Sequence, residues 1–254
     1  MMWKFIKNEF MSGTDNMKTD LLLAKSLEYD ETILRLYQWD PYCISLGANQ
    51  SMEDLLIENV YKDNIEIVKR PTGGRAILHS EELTYSIISQ LKTGLSPKDL
   101  YKEINVALIA GLINFDDNLR KLDLHKSQPY FPSHYKEDKS AICFSLPSKN
   151  EISFCGKKLV GSAQRRIGNV LLQHGSILCG AYHKNICNYL ALQESTLSVL
   201  RKEMDNNTTD LKEILFKEIE IDELAESIKS GFENHFAIKF TDHLNQYELT
   251  STLK

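Results

Sequence analysis

The fold is decided by residues 142–178, which read ICFSLPSKNEISFCGKKLVGSAQRRIGNVLLQHGSIL. Short β-prone segments alternate there with glycines, so we predict strands over residues 151–154 and 158–160, joined through Cys155 and Gly156. A second turn is predicted at Gly168 and Asn169. A meander of this kind places residues that are far apart in the sequence on one face of a sheet.

Two reactive residues of this stretch, Cys143 and Lys158, are fifteen positions apart, so they are not helix neighbours and meet only across strands. A nearby ammonium group lowers the pKa of a thiol from about 8.5 towards neutrality, which makes the cysteine a better nucleophile. Each residue also has an ordinary structural explanation, since most cysteines are buried and inert and most strand lysines are solvated edge charges. Spacing alone therefore indicates a soluble α/β enzyme of unspecified chemistry.

Composition bounds the class of protein. The 254 residues suffice for one large domain or two smaller ones, and 42% apolar with 26% charged residues is typical of a soluble globular protein. A net charge of −5 argues against a general nucleic-acid binder. The first ten residues lack the apolar core of a secretory signal, and the longest mainly apolar run, residues 106–115, is shorter than the ~20 residues that span a bilayer. Five cysteines without a CxxC motif indicate reduced cytoplasmic thiols, not a disulfide framework or a zinc site.

Periodicity and capping signals place the other elements. We predict strands over residues 3–10, 33–39, 43–46 and 65–68, and helices over 15–29, 51–61, 96–115, 184–192 and 221–236. Residues 124–140 are predicted to form a long loop that covers the site, and residues 202–209 a surface loop.

A second motif, RPTGGR at residues 70–75, directly follows the strand predicted at 65–68. Paired glycines let backbone N–H groups approach a ligand closely, and Arg70 and Arg75 add positive charge. With Thr72 and His79, the motif forms a polar cluster within ten residues. The alternative is a tight turn between two strands. The motif is neither a P-loop nor a GxGxxG dinucleotide fingerprint.

These motifs together resemble those of the lipoate–biotin protein ligase superfamily, and more narrowly its octanoyltransferase branch that works with the glycine cleavage H protein. The resemblance rests on RPTGGR with His79, on Cys143-Phe144, on GKKLVGSAQ at 156–164 and on QHGSI at 173–177. The motifs occur in order and cover roughly residues 3–182.

The resemblance implies a single catalytic domain over residues 1–254, a mixed α/β fold with a central β-sheet and packed helices. It implies that Cys143 is the nucleophile, that Lys158 is the active-site lysine, and that the acyl chain lies in a tunnel beside Gly73 and Gly74. The substrate-binding residues that it implies are Arg70, Thr72, Gly73, Gly74, Arg75, His79, Gly161, Ser162, Ala163, His174 and Gly175.

The expected reaction moves an octanoyl group from octanoyl-acyl carrier protein, through a cysteine thioester, to a lysine of a lipoyl-domain acceptor such as the H protein. Backbone N–H groups near residues 161–163 would stabilise the oxyanion. No metal and no cofactor is expected, because a thioester is already activated. The protein is expected to be a cytoplasmic monomer that binds neither nucleic acid nor membrane.

Two other functions stay open at this point. The first is an ATP-dependent lipoate ligase of the same fold, in which Cys143 is incidental; the second is a non-catalytic binder of lipoyl domains. Cys143 argues against the ligase, because the resemblance implies that ATP-dependent ligases keep the lysine but lack this cysteine, and the presence of both Cys143 and Lys158 argues against the binder. Ser80 stands where family members have aspartate, and Arg165 with Arg166 either suits an acidic partner or belongs to a solvated strand.

Overall fold

The computed structural model describes residues 2–91, 96–124 and 150–243. Its strands are β1 (Met2–Met11), β2 (Glu31–Trp39), β3 (Cys43–Leu46), β4 (Glu66–Lys69), β5 (Ile77–His79), β6 (Glu82–Gln90), β7 (Leu122–Leu124), β8 (Ile152–Phe154), β9 (Lys157–Ile167), β10 (Val170–Leu178) and β11 (Phe240–His243). Its helices are α1 (Gly13–Ser26), α2 (Ile57–Lys62), α3 (Pro97–Phe115), α4 (Glu194–Asn207), α5 (Leu211–Leu215) and α6 (Ile221–Phe236).

The strands form one large and one small mixed sheet. The large sheet has eight strands in the order β11-β1-β2-β6-β10-β9-β8-β7, and the small one has three in the order β4-β3-β5. In the large sheet β1 is parallel to β2 and to β11, and the neighbours from β2 onward are antiparallel. With helices packed on the sheet, this architecture confirms the predicted fold class.

Apolar side chains divide between the two faces of the large sheet. On one face Ile33, Ile88 and Leu172 pack against Leu23 of α1. The neighbouring strand residues point the opposite way, and Leu34 and Ile87 join the larger core that includes α3 and α6. Burial of each such side chain contributes about 1.5–3 kcal/mol. The small sheet lies on the α1 side, because Met17 of α1 clusters with Cys43 and Val68.

Several predicted elements are confirmed. Helix α3 begins at Pro97, where the Oγ of Ser96 accepts a hydrogen bond from the N–H of Asp99 at 3.1 Å. Helix α6 has the predicted bounds, and β9 and β10 meet at Gly168, whose φ is 60°. Helix α1 begins at Gly13, before the predicted start at residue 15, because the Oγ of Ser12 caps it by accepting from the N–H of Asp15.

Three predicted elements are wrong: the helix over 184–192, the surface loop over 202–209 and the uninterrupted helix over 51–61. Residues 184–192 are not an α-helix: a 3₁₀ segment covers Ala181–Tyr189, and its buried His183, Ile186 and Tyr189 recur every three residues. Residues 202–209 are not a surface loop, because α4 runs to Asn207 and buries Leu197, Leu200 and Met204.

The helix predicted over 51–61 is interrupted by tertiary pairing. Ser51 does form a capping box with Asp54, but only a 3₁₀ turn, Met52–Asp54, follows it. Leu55 pairs with Leu190, and the N–H of Leu56 donates to Tyr189 O at 2.8 Å, so α2 begins only at Ile57. The loop predicted over 124–140 begins where β7 ends, at Leu124, and the rest of it lies outside the described residues.

Among the helices in the described ranges, none combines the length and the apolar character needed to cross a bilayer.

Candidate active site

A cavity of about 400 Å³, counting its opening to solvent, lies on the α1 side of the large sheet. Seven of the predicted site residues line it: Arg70, His79, Gly161, Ser162, Ala163, His174 and Gly175. The other lining residues, which the sequence reasoning did not single out, are Met17, Tyr37, Trp39, Ser45, Ile77, Thr84 and Ser176.

Strand register brings two of the sequence motifs, residues 156–164 and 173–177, next to each other. On β10, His174 lies opposite Ala163 of β9, and Ser176 lies opposite Gly161. On its other side β10 pairs with β6, which carries Thr84 opposite Ser176. The motif at 156–164 and the motif at 173–177 are therefore adjacent strands of one wall.

Gly175 permits a close approach between these strands. A Cβ atom at this position would lie 2.5 Å from the carbonyl oxygen of Gly161 and 2.8 Å from the Oγ of Ser162. The Oγ of Ser162 is in turn 2.7 Å from the hydroxyl of Tyr85, which accepts a hydrogen bond from the side-chain amide of Gln173 at 2.9 Å. A larger residue than glycine would displace the backbone that forms the cavity wall.

His79 is held from three sides. Its ring stacks on Trp39 with 4.0 Å between ring centroids, its Nδ1 is 2.8 Å from Glu82 Oε1, and its Nε2 is 2.7 Å from Ser45 Oγ. Glu82 also accepts from Thr84 at 2.5 Å and from Ser176 at 2.7 Å. Burial tends to raise the pKa of Glu82, but the charge of His79 and these hydrogen bonds hold it below its ordinary value.

Arg70 shapes the RPTGGR loop from inside. Its Nη1 donates to the carbonyl oxygen of Ser45 at 2.7 Å, and its Nη2 donates to the carbonyl oxygens of Gly73 and Arg75 at 3.0 and 2.6 Å. Gly74 has a φ of 95°, which glycine adopts without strain. Arg70 is buried, whereas Gly73 and Gly74 are exposed at the surface. The motif is therefore an internally braced turn beside the cavity.

His174 connects this loop to a buried charge network. Its Nε2 is 2.7 Å from the Oγ1 of Thr72, and its Nδ1 is 3.6 Å from Asp20 Oδ2. Asp20 forms a salt bridge with Arg35 at 2.8 Å, with both side chains fully buried. Burial tends to raise the pKa of Asp20, but Arg35 and then His174 hold it below the ordinary value. Burial lowers the pKa of His174 despite the opposing effect of Asp20.

Lys158 is not one of the described residues that line the cavity. Its side chain is nevertheless buried, with 1% of it exposed. Its Nζ is 2.9 Å from Oε1 of Glu151, which is also buried. The explanation as a solvated edge charge is thus excluded. Burial raises the pKa of Tyr101, and the charge of Glu151 raises it further. The hydroxyl of Tyr101 lies 3.5 Å from the carbonyl oxygen of Ser162. The ion pair therefore lies near the strand segment that lines the cavity.

Cys143, the predicted nucleophile, lies outside the described residues. Of the four other cysteines, Cys43, Cys179 and Cys187 are buried, and burial raises the pKa of each of them. These three thiols are poor nucleophiles at neutral pH. Cys155 is exposed at the β8–β9 turn, with a φ of 50°.

Sequence reasoning missed the carboxylates that hold the site: Asp20, Glu82 and Glu151. A signal existed for Asp20, because it occupies a buried position of α1 three residues after Met17 and three before Leu23. A charged residue in such a stripe needs a buried partner. Glu82 follows His79 by three residues, and Glu151 stands immediately before β8. The described residues contain no cluster of three or more histidine, cysteine or acidic side chains suited to a metal ion.

Comparison with known proteins identifies the class. Residues 12–233 match the family model described as the lipoyl protein ligase A/B catalytic domain, and the chain belongs to this family. The curated relatives then specify the branch. Octanoyltransferase LipM of Bacillus subtilis (strain 168) is 32% identical over 258 residues, which cover 98% of this chain and 90% of that protein. Octanoyltransferase LipM of Clostridioides difficile (strain 630) is 31% identical, with 97% and 92% covered.

The chain is accordingly an acyltransferase of the octanoyltransferase type, which acts in lipoate biosynthesis, and the predicted activity is confirmed. Solved structures agree on the fold. A bi-partite lipoate protein ligase from Thermoplasma acidophilum superposes with a TM-score of 0.78 at 20% identity, over 100% of this chain and 90% of that one. A lipoate-protein ligase A bound with ATP gives 0.74 at 21% identity, over 100% and 92%.

Proposed function

We propose that the chain takes an octanoyl group from an acyl carrier protein onto Cys143 and passes it to a lysine of a lipoyl domain, with the glycine cleavage H protein as the expected acceptor. The observation that carries this proposal is the cavity bounded by Met17, Trp39 and Ile77 and by the backbone of residues 161–163. Apolar walls suit an acyl chain, and a strand backbone beside them suits its carbonyl group.

The proposed chemistry has two transfers. The Cys143 thiolate attacks the thioester carbonyl, the bond to the carrier sulfur breaks, and the carrier leaves as a thiol. The amine of the acceptor lysine then attacks the acyl-enzyme, an amide bond forms, and the thiol of Cys143 is regenerated. No nucleotide enters, because the thioester is already activated.

Lys158 is the second catalytic residue of the proposal. An ammonium group near Cys143 lowers the pKa of the thiol and stabilises negative charge on the carbonyl oxygen, together with backbone N–H groups of residues 161–163. Its burial supports this role, because a charge acts more strongly where water is excluded. Glu151 balances the charge of the buried ammonium group by pairing with it.

The remaining predicted residues are proposed to bind the acyl substrate. Arg70 holds the loop that carries Thr72, Gly73, Gly74 and Arg75 beside the acyl chain. His79, His174 and Gly175 form the cavity wall together with residues 161–163. A lipoyl-domain acceptor is supported by the archaeal structural relative, which is a lipoylation system with its E2 lipoyl domain. We further propose that residues 1–254 form one catalytic domain in the cytoplasm, where thiols stay reduced.

Intact-mass spectrometry after mixing the protein with octanoyl-acyl carrier protein, without ATP, tests the proposal. We expect an octanoyl adduct on the wild type and on Cys155→Ala, which removes the exposed thiol of the β8–β9 turn. We expect none on Cys143→Ala. Adding a lipoyl domain should discharge the adduct.

An adduct that persists in Cys143→Ala, or that maps to Cys155, would contradict the assignment of the nucleophile. Transfer that requires free octanoate and ATP would favour an ATP-dependent ligase instead.

A further inference from the structure

The two oxygens of the Asp20 carboxylate face different parts of the molecule. Oδ1 accepts hydrogen bonds from Arg35 Nη1 at 2.8 Å and from Ser86 Oγ at 2.9 Å. Oδ2 accepts from the hydroxyl of Tyr37 at 3.3 Å and lies 3.6 Å from Nδ1 of His174. Tyr37 and His174 both line the cavity. One oxygen therefore belongs to the protein interior, and the other is directed at the cavity wall.

Arg35 fixes the carboxylate in place. Its Nε donates to Asn8 Oδ1 at 2.6 Å, its Nη2 donates to Asn16 Oδ1 at 2.6 Å, and its guanidinium lies 3.9 Å from the ring centroid of Tyr37. Arg35, Asp20 and Asn16 are fully buried. Because Arg35 is hydrogen-bonded to Asn8, Asn16 and Asp20 at once, the carboxylate is held in place, and Oδ2 presents a fixed negative charge to His174.

This charge selects one tautomer of His174. A carboxylate only accepts hydrogen bonds, so the ring proton is favoured on Nδ1, although 3.6 Å is too long for a strong bond. Because burial holds the pKa of His174 below its ordinary value, the ring is neutral near pH 7. Nε2 is then an acceptor, and the hydroxyl of Thr72, 2.7 Å away, must be the donor.

Thr72 is fully buried, although Gly73 and Gly74 of the same RPTGGR loop are exposed. Its carbonyl oxygen accepts from the N–H of Ala48 at 3.0 Å, and the hydroxyl contacts His174. In the described part of the chain no other group accepts a hydrogen bond from this hydroxyl. The tautomer of His174 therefore decides whether the Thr72 proton is satisfied, and so how firmly the loop is anchored.

We propose that Asp20 is a positioning residue for octanoyl transfer, which sets the Nδ1–H tautomer of His174 so that Thr72 anchors the loop of residues 70–75 against the acyl cavity. The inference rests on the proposed function for its effect on the reaction, but not for the tautomer itself. The competing explanation is that Asp20 only balances the charge of Arg35.

Asp20→Asn distinguishes the two explanations. Arg35 and Ser86 both donate, so they retain the amide oxygen, and the amide NH₂ then faces His174. An NH₂ donor next to Nδ1 favours a proton on Nε2, which leaves the Thr72 hydroxyl without an acceptor. ¹H–¹⁵N correlation spectra of the ring nitrogens should show Nδ1–H in the wild type and Nε2–H in Asp20→Asn. We expect kcat/KM for octanoyl transfer to fall about tenfold, as for a lost buried hydrogen bond.

Ser86→Ala is the matched control, because it removes a side-chain hydrogen bond to Oδ1 of Asp20, the oxygen that does not face the cavity. We expect it to keep the Nδ1–H tautomer. Three outcomes would overturn the proposal. His174 could carry its proton on Nε2 in the wild type, or it could keep the proton on Nδ1 in Asp20→Asn. The tautomer could also change in Asp20→Asn without any loss of octanoyl transfer.

Thr72→Val decides the question if Asp20→Asn does not fold. With Asp20 present, Nδ1–H should persist although the hydroxyl is gone, and kcat/KM should fall by a similar factor. A switch to Nε2–H would mean that Thr72 sets the tautomer and would overturn the proposal. Failure of octanoyl transfer in the wild type would contradict the proposed function alone, since the spectra do not depend on turnover.

Discussion

Lys158 and Glu151 form an ion pair inside the protein, and a buried pair of this kind is a costly way to stabilise a fold. Removing two charges from water costs several kcal/mol per ion, and their mutual attraction often only balances this cost. A hydrophobic pair of the same volume would serve packing equally well. The presence of an ammonium group here, on the same strand as the cavity-lining residues 161–163, therefore favours a chemical role.

Substitution of both partners should separate stability from activity. Lys158→Met removes the ammonium partner of the buried Glu151 carboxylate and should lower the free energy of unfolding by about 3–5 kcal/mol. Adding Glu151→Gln removes that charge, so urea denaturation should show most of the stability restored. Octanoyl transfer should stay lost in the double variant, because the ammonium group is still missing. Recovery of transfer along with stability would assign Lys158 a purely structural role.

At the scale of elements, the 3₁₀ segment Ala181–Tyr189 is tied to the end of α4 by one histidine. His183 Nδ1 is 3.1 Å from the carbonyl oxygen of Gly180, and its Nε2 is 3.1 Å from Thr208 Oγ1. Thr208 also donates its hydroxyl to Met204 O, at 2.6 Å. Since that proton is committed, both ring nitrogens of His183 face hydrogen-bond acceptors, and a neutral ring can donate to only one of them at a time. Burial lowers the pKa of His183 to about 4.

This pKa predicts acid sensitivity with a definite sign. In the unfolded chain His183 has its ordinary pKa of 6.5, and in the folded protein its pKa is about 4. Between these two pH values the unfolded chain therefore binds one proton that the folded protein does not bind. The free energy of unfolding should therefore fall by about 2 kcal/mol between pH 7 and pH 5 from this residue.

Urea titrations of the wild type and of His183→Gln at these two pH values measure this loss. The variant keeps a side chain that can hydrogen-bond but does not titrate, so its stability should depend less on pH. Parallel pH dependence in the two proteins would show that His183 stays accessible to protons in the folded state.

At the scale of the whole molecule, α3 and α6 cross at a pair of glycines. A Cβ atom at Gly231 would lie 2.5 Å from Gly111 Cα and 2.7 Å from Ala107 O. A Cβ atom at Gly111 would lie 2.7 Å from the Cα of Ile228. The two backbones are therefore in contact, and this contact sets the distance between the two helix axes.

Gly231→Ala should force the helices apart. The gain of helix propensity, about 0.5–1 kcal/mol, works against an overpacking cost of about 1–3 kcal/mol, so we expect net destabilisation. Ser230→Ala, at the preceding position of α6, adds helix propensity without this contact and serves as the control. Urea midpoints of the two variants measure the difference. A stabilised Gly231→Ala would mean that the helix layer moves without cost.

The predictions from sequence succeeded where the signal is local. The bounds of α3 follow from Ser96, Pro97 and an apolar stripe within the helix itself, and α6 follows from its own periodicity. They failed where distant backbone intervenes, as at Leu55, whose pairing with Leu190 interrupts the predicted helix. Seven of the predicted site residues line one cavity: five lie on the adjacent strands β9 and β10, His79 lies on β5 of the small sheet, and Arg70 directly follows β4 of that sheet.

Residue identity and short spacing are enough to predict the family, the mixed α/β class and the order of the motifs. They do not show which polar groups meet, because those contacts arise only when distant parts of the chain pack together. Thr72 and His174 are 102 positions apart, and Asp20 reaches His174 across the sheet face from a separate helix. Such contacts depend on strand register and on burial, which together set both the distance between two side chains and the strength of their interaction.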